Sequence, residues 1–429
     1  MQLIFYFKTQ FNSVIDLLSN TFWLLTAEFV AKISRIFTIV VLAAQLSPIS
    51  YGTAMLALAF HDVFALLLRA GVGSQIINCK QHQVEKFAKS GIFIQWSICL
   101  MIAIAQWSSA DFLSSLYDNE NIAVLLKTMA IIYILYPWVS VKIFLLQREN
   151  KMRWFSIRNG ICIIIENVSI ALAALLGADI FAVAIGKIAF SILWLLLFSF
   201  SPVQSYGVGF DKTIIKQMII TSGKLFNTEF LRGIRINADT FIAGKLLTPD
   251  LFGFYTFAKN AGVGLSRSIS QVYIAALYPY LCKLERKGQL LGQQRKIFIL
   301  SLFIGFFFVF QALIAPVYVP ILFDEKWLSA VPIITILCLV ALPNLIIDIV
   351  CCFQRAKEQY NNETFTRMVC LLISLITVFT LMPEEPMEFA VAIFLSSLFC
   401  LIPIYLCNVF KPLNFNLRTL FGRKKSHES

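Results

Sequence analysis

Apolar runs of about twenty residues recur along this chain, and the charge that interrupts them falls in a few places. A run of that length lets a helix cross the hydrocarbon layer with every backbone N–H and C=O bonded inside the helix. The pattern predicts an all-α polytopic membrane protein. Composition agrees: of 429 residues, 59% are hydrophobic, only 14% are charged and 40 are Phe. A soluble domain carries roughly a quarter charged residues.

Twelve transmembrane helices are expected, over Asn20–Leu46, Tyr51–Ile77, Ser90–Trp107, Asn121–Leu146, Ile157–Leu176, Ile180–Ser201, Lys216–Leu247, Leu251–Leu281, Lys296–Phe323, Trp327–Phe353, Phe365–Met382 and Met387–Phe410. MQLIFYFK reads as a short interfacial segment ahead of them, since no small-residue cleavage site follows it. Even-numbered connections collect Lys80, Lys86, Lys89, Arg148, Lys151, Arg153, Arg158, Lys212, Lys283, Arg286, Lys287, Arg355, Lys357 and Arg367. Odd-numbered ones hold Asp111, Asp118, Glu120, Asp179, Asp250, Asp324, Glu325, Glu384 and Glu385, with Lys245 and Lys326 as basic exceptions. Lys and Arg stay on the cytoplasmic side, so both termini are expected in the cytoplasm, with 411–429 a basic cytoplasmic tail.

The net charge of +12 therefore reports topology rather than nucleic-acid binding. Arg148, Arg153 and Arg158 could also touch a lipid headgroup. Most of the ten cysteines lie inside apolar runs and no CxxC pair occurs, which points to buried thiols rather than a disulfide framework or a zinc site. No nucleotide loop, zinc-protease motif or nucleophile elbow is present, so neither a cofactor nor a catalytic residue is expected.

An internal repeat underlies the span count. Shifted by 201 positions, Glu28-Phe29 falls on Glu229-Phe230, Leu46-Ser47-Pro48 on Leu247-Thr248-Pro249, and Gly52 on Gly253. LSPISYG and LTPDLFG each turn one helix into the next, with Pro opening the second helix and Gly allowing close approach. Gln147-Arg148 is echoed by Gln354-Arg355. Six spans per half makes the halves parallel repeats, a transporter arrangement. The expected domains are lobes 1–206 and 207–410.

The most charged apolar stretch is Ser222–Asn260, with Lys224, Glu229, Arg232, Arg235, Asp239, Lys245 and Lys259. At helical spacing Arg232, Arg235 and Asp239 share one face, and hydrocarbon cannot host such a stripe. Its repeat counterpart carries Glu28, Lys32 and Arg35; the second span adds His61, Asp62 and Arg69, and the eighth adds Arg267. These residues predict a wet cavity, richer in cations than anions, among spans one, two, seven and eight. Its natural guest is an anion such as a diphosphate, which guanidinium forks bind through paired hydrogen bonds. The candidate substrate contacts are Lys32, Arg35, Arg69, Arg232, Arg235, Lys259 and Arg267. Glu28, Asp62, Glu166, Glu229, Asp239 and Asp348 are candidate H+ or Na+ coupling sites, or else salt-bridge partners of nearby cations. His61 reads as a proton relay or as a satisfied packing histidine.

LSPISYG, NADTFIAGKLLTPDLFGFYTFAKN and LLQRENKMRWFSIRN, set in twelve spans, resemble Wzx-type polysaccharide flippases. These belong to the MOP superfamily, which also holds the MATE drug exporters. The resemblance implies alternating-access movement of an undecaprenyl-diphosphate-linked oligosaccharide across the bacterial inner membrane, for O-antigen, capsule or exopolysaccharide assembly. It implies membrane lipid as surroundings, with a polysaccharide polymerase and a chain-length regulator as partners. It also implies a cationic central cavity, to which Arg35, Arg69, Arg232, Arg235, Lys259 and Arg267 correspond. A MATE-like exporter of small cations is the rival reading, which cavity cations disfavour. A polymerase or ligase would need a large outer loop, and the outer loops here are short.

Overall fold

The computed structural model describes residues 30–69, 72–149, 151–286, 290–357 and 359–406. Every regular element among them is helical. Contacts divide the chain into a first unit, Met1–Gly253, and a second, Phe254–Ser429.

The first unit opens with helical residues 30–45 (α1) and continues through α2 (Pro48–Leu66), α3 (Val72–Asn78), α4 (Val84–Leu116), α5 (Glu120–Ala130), α6 (Ile132–Leu135) and α7 (Pro137–Arg148). It then runs through α8 (Met152–Leu175), α9 (Phe181–Ser199) and α10 (Lys212–Leu246), and ends inside α11 (Pro249–Ala261). Local chemistry sets the boundaries. Ser47 caps α2 by accepting from the Ser50 N–H, with Pro48 at the first helical position, where the missing N–H costs no bond. Asn119 caps α5 and Asp211 caps α10 in the same way. Gly177, at φ +83°, ends the α8–α9 hairpin in a backbone region that side chains disfavour. Pro137 sits at the break that bends α5–α6 from α7 by 57°.

Two apolar clusters hold this unit. Val72, Ile76, Phe87, Val141 and Leu145 receive Ile214 and Met218 of α10. Val139, Ile143 and Leu146 pack with Cys162 of α8 and with Trp194 and Phe198 of α9. Further along, α10 stacks Phe241 on Phe60 at 4.4 Å and accepts from the Tyr117 hydroxyl at the Phe241 carbonyl, 3.0 Å. Lys245 donates to the Leu116 carbonyl at 2.8 Å.

The repeat is visible in the backbone. Helix α1 stops at 45 and α10 at Leu246; α2 starts at Pro48 and α11 at Pro249, the same 201-residue offset each time. The two turns touch. A Cβ on Gly253 would lie 2.0 Å from the Pro48 carbonyl oxygen, and one on Gly52 would lie 3.2 Å from Gly253 Cα. Only glycine admits that approach. Because α10 packs on α2, α3 and α4, contacts group it with the first unit, whereas the expected boundary at 206/207 would make it the opening helix of the second lobe.

The second unit holds the rest of α11, then α12 (Val263–Arg286), α13 (Leu290–Leu322), α14 (Val331–Ala356), α15 (Tyr360–Leu381), α16 (Pro386–Phe399) and α17 (Leu401–Leu406). Its core joins Leu277 and Leu281 to Phe308 and to Leu345, Ile349, Cys352 and Phe353 of α14. Gln311 accepts from Ser266 at 2.6 Å and donates to the Gly262 carbonyl at 2.9 Å. Such bonds join helices where apolar contact alone gives little preference over lipid.

Among the described residues, eight helical stretches are long and apolar enough to cross a membrane, or nine with the bent α5–α7 pair. The protein is multi-pass. The expected count of twelve is not reached by this measure. Stretch α10, which is rich in charge, and the α11–α12 pair, which is rich in polar side chains, do not qualify, and the expected first span begins outside the described residues.

Candidate functional site

Four charged residues of the first unit are grouped at the α8–α9 hairpin. Glu166 on α8 and Lys187 on α9 form a salt bridge of 2.8 Å, with side chains 14% and 24% exposed. In an antiparallel hairpin, residues equidistant from the turn share a depth. Glu166 stands 11 residues before Gly177 and Lys187 stands 10 after it (177 − 166 and 187 − 177), so the fold sets them level.

Helix α1 is bonded to the same place. The Asn167 amide donates to the Ser34 hydroxyl at 2.8 Å, and the Thr38 hydroxyl donates to the Asn167 carbonyl at 3.0 Å. That seam brings Arg35, next to Ser34, toward Glu166, next to Asn167. Lys187 accordingly feels Asp62 of α2 and Arg35 of α1 as well as Glu166. Arg35 and Asp62 are exposed, and among the described residues neither forms a salt bridge. Two cations and two carboxylates from four helices therefore act on one another, three of them on stretches long and apolar enough to cross a membrane, where ionisable groups persist chiefly for function.

Beside them His61 is buried at 4% exposure, with its Nδ1 3.2 Å from both Gln106 Oε1 and the Tyr133 hydroxyl. Tyr133 donates to Gln106 Oε1 at 2.9 Å, and Gln106 donates to the Leu126 carbonyl at 2.7 Å. His61 is the satisfied packing histidine of the two readings.

The other expected site residues are distributed as follows. Lys32 is half-buried on α1, and Arg235 and Asp239 are half-buried on α10. Lys259 is half-buried on α11 in the second unit. Glu28 lies outside the described residues, as do the side chains of Arg69, Glu229, Arg232 and Arg267. The structure thus gathers Arg35 and Asp62 with Glu166 and Lys187. Lys187 was missed at the sequence level. Its signal was available: it is a lone cation in a helix whose mean hydropathy reaches 2.3.

Several charges expected at loops or as coupling sites are structural instead. Arg148 donates to the Ile76 and Ile77 carbonyls at 2.9 and 2.8 Å and to Gln81 at 3.1 Å, which caps the end of α3 rather than meeting a lipid headgroup. Arg158 lies over the Trp154 ring at 3.6 Å. Arg367, counted among loop cations, is buried at 5% exposure and bonds Glu363 at 2.9 Å and Asp348 at 3.4 Å. Arg355 joins the same Glu363 at 2.7 Å. Asp348 is thereby a salt-bridge partner.

Comparison with known proteins fits this picture. At 20% identity the chain is similar to the lipopolysaccharide biosynthesis protein WzxC of Escherichia coli, over 70% of this chain and 62% of that protein. At 23% identity it is similar to the succinoglycan biosynthesis transport protein ExoT of Rhizobium meliloti, over 71% of this chain and 62% of that one. The chain spans about 60–67% of the length of the curated relatives it matches. Among solved structures, an inward-facing MATE family multidrug resistance transporter of the MOP superfamily aligns with a TM-score of 0.64 and 10% identity, over 91% of this chain and 99% of that one. An outward-facing MATE transporter aligns at 0.61 and 11%, over 91% and 95%. At such identities the likeness establishes the fold, which is the MATE transporter fold. Residues 41–332, well over half of the sequence, match the family described as "Polysaccharide biosynthesis protein", and the chain belongs to that family.

Proposed function

We propose that this protein is a flippase that carries an undecaprenyl-diphosphate-linked oligosaccharide across the bacterial inner membrane, for O-antigen, capsule or exopolysaccharide assembly. The observation that carries the reading is Arg35, exposed on α1 beside the Lys187–Glu166 pair of two spanning helices, in a chain of the polysaccharide biosynthesis family. A guanidinium in that setting suits a phosphate oxygen. The printed names of WzxC and ExoT tie similar proteins to polysaccharide biosynthesis and, for ExoT, to transport. The MATE fold supports alternating access rather than catalysis. A small-cation exporter fits less well, because the intramembrane cations would repel its cargo.

In this reading the repeat halves 1–206 and 207–410 form the two lobes, twelve spans enclose the cavity, and 411–429 is a cytoplasmic tail, with both termini inside. Lys32, Arg35, Arg69, Arg232, Arg235, Lys259 and Arg267 serve the diphosphate, while Glu28, Asp62, Glu229 and Asp239 serve coupling to H+ or Na+. A polymerase and a chain-length regulator act on the delivered glycan. The test is Arg35→Ala in a strain that depends on this gene for its surface glycan, with protein level checked in the membrane. Surface glycan falling at least tenfold supports the assignment; an undiminished level removes Arg35 from the substrate path.

A further inference from the structure

The half-buried Lys187–Glu166 pair bears on which ion such a transporter can use. Asp62 on α2 and Glu166 on α8 are carboxylates on spanning helices that both act on Lys187 of α9, and carboxylates are the donor type that would hold a sodium ion in a membrane. The position is already served. Lys187 bonds Glu166 at 2.8 Å and is attracted by Asp62. The charged and titratable groups facing Lys187 are Glu166 from α8, Asp62 and His61 from α2, and Arg35 from α1. His61 is committed to Gln106 and Tyr133. Arg35 and Lys187 balance the two carboxylates, so the cluster is neutral when both are ionised.

We propose that the Lys187 ammonium is a tethered counter-cation, occupying the cation position of Glu166 and Asp62, so that this site excludes sodium. The inference rests on the transporter reading for its use, though not for its chemistry. A sodium ion entering beside Lys187 and Arg35 would leave three cations against two carboxylates, and the two fixed cations would repel it.

The experiment measures thermal unfolding of the full-length protein in detergent, with NaCl titrated against choline chloride at constant ionic strength. The wild type is expected to show no sodium-specific shift in Tm. Lys187→Ala, which vacates the position, is expected to gain a sodium-specific rise of several degrees that Glu166→Gln added to it abolishes. Lys187→Met, which keeps the stem volume, serves if the alanine variant does not accumulate. A sodium-specific shift in the wild type that Asp62→Asn removes overturns the proposal. So does the absence of any sodium response in both Lys187 variants. Neither readout depends on the cargo, so failure of the flippase reading would be seen separately, in the surface glycan.

Discussion

The two units each hold ionised groups away from water, and they do so differently. In the second, the Glu363 carboxylate is fully buried and takes four N–H bonds, two from Arg355 (2.9 and 2.7 Å) and two from Arg367 (3.1 and 2.9 Å). Asp348 takes a further bond from Arg367. In the first, Glu166 and Lys187 share one short contact, keep some exposure, and have Arg35 and Asp62 near them without a salt bridge among the described residues. A carboxylate saturated by two guanidinium forks has nothing left to offer a ligand, and it joins α14 to α15. A pair with one bond and open neighbours can change partner. Burial of charge alone therefore does not mark a functional site; spare valence beside it does.

Substitutions can break or sharpen that contrast. The largest effect on folding is expected from Glu363→Ala, which leaves two guanidiniums without their shared counter-charge. Removing one partner of a buried ion pair costs about 3–5 kcal/mol. Denaturant unfolding in detergent, or recovery of monodisperse protein, would show it. A loss below about 1 kcal/mol, the range of surface pairs, would erase the distinction between the units. Glu166→Ala should cost less, about 1–3 kcal/mol, the range for a group left partly unsatisfied. Glycan export is expected to fail in this variant while the membrane level of the protein is kept. Retained export would make the first cluster a staple like the second. Lys245→Ala sets the baseline. Its contact with Asp118 is 3.7 Å and the side chains are 55% and 87% exposed. Exposed pairs contribute about 0–1 kcal/mol, so Tm and export should stay close to the wild type.

Much of the fold was legible beforehand because hydropathy is a local property. Helices correspond to each expected span that lies within the described residues, and the LSP and LTP turns fall in the same register. The span test by composition fails at α10 and α11–α12, where charged and polar side chains lower the hydropathy of segments that are nonetheless helical. The site was less legible. Arg35 and Asp62 were picked as intramembrane charges, yet Lys187, which they surround, was not. The echo of Gln147-Arg148 in Gln354-Arg355 was real as a position, at the ends of α7 and α14. Arg148 nevertheless meets the Ile76 and Ile77 carbonyls, whereas Arg355 meets a carboxylate. An identical dipeptide carries no information about what a neighbouring helix presents to it.

The sequence by itself determined that the chain is an all-helical membrane protein with related turns at Pro48 and Pro249. Twenty-residue apolar windows and a proline at the first helical position act through the backbone nearby. Only the tertiary structure decided which charge answers which. It levelled Lys187 with Glu166, brought α1 and α2 to them, and closed Glu363 between two arginines. An ion pair reaches only a few ångströms, and residues far apart in the chain come within that reach only once helices have packed.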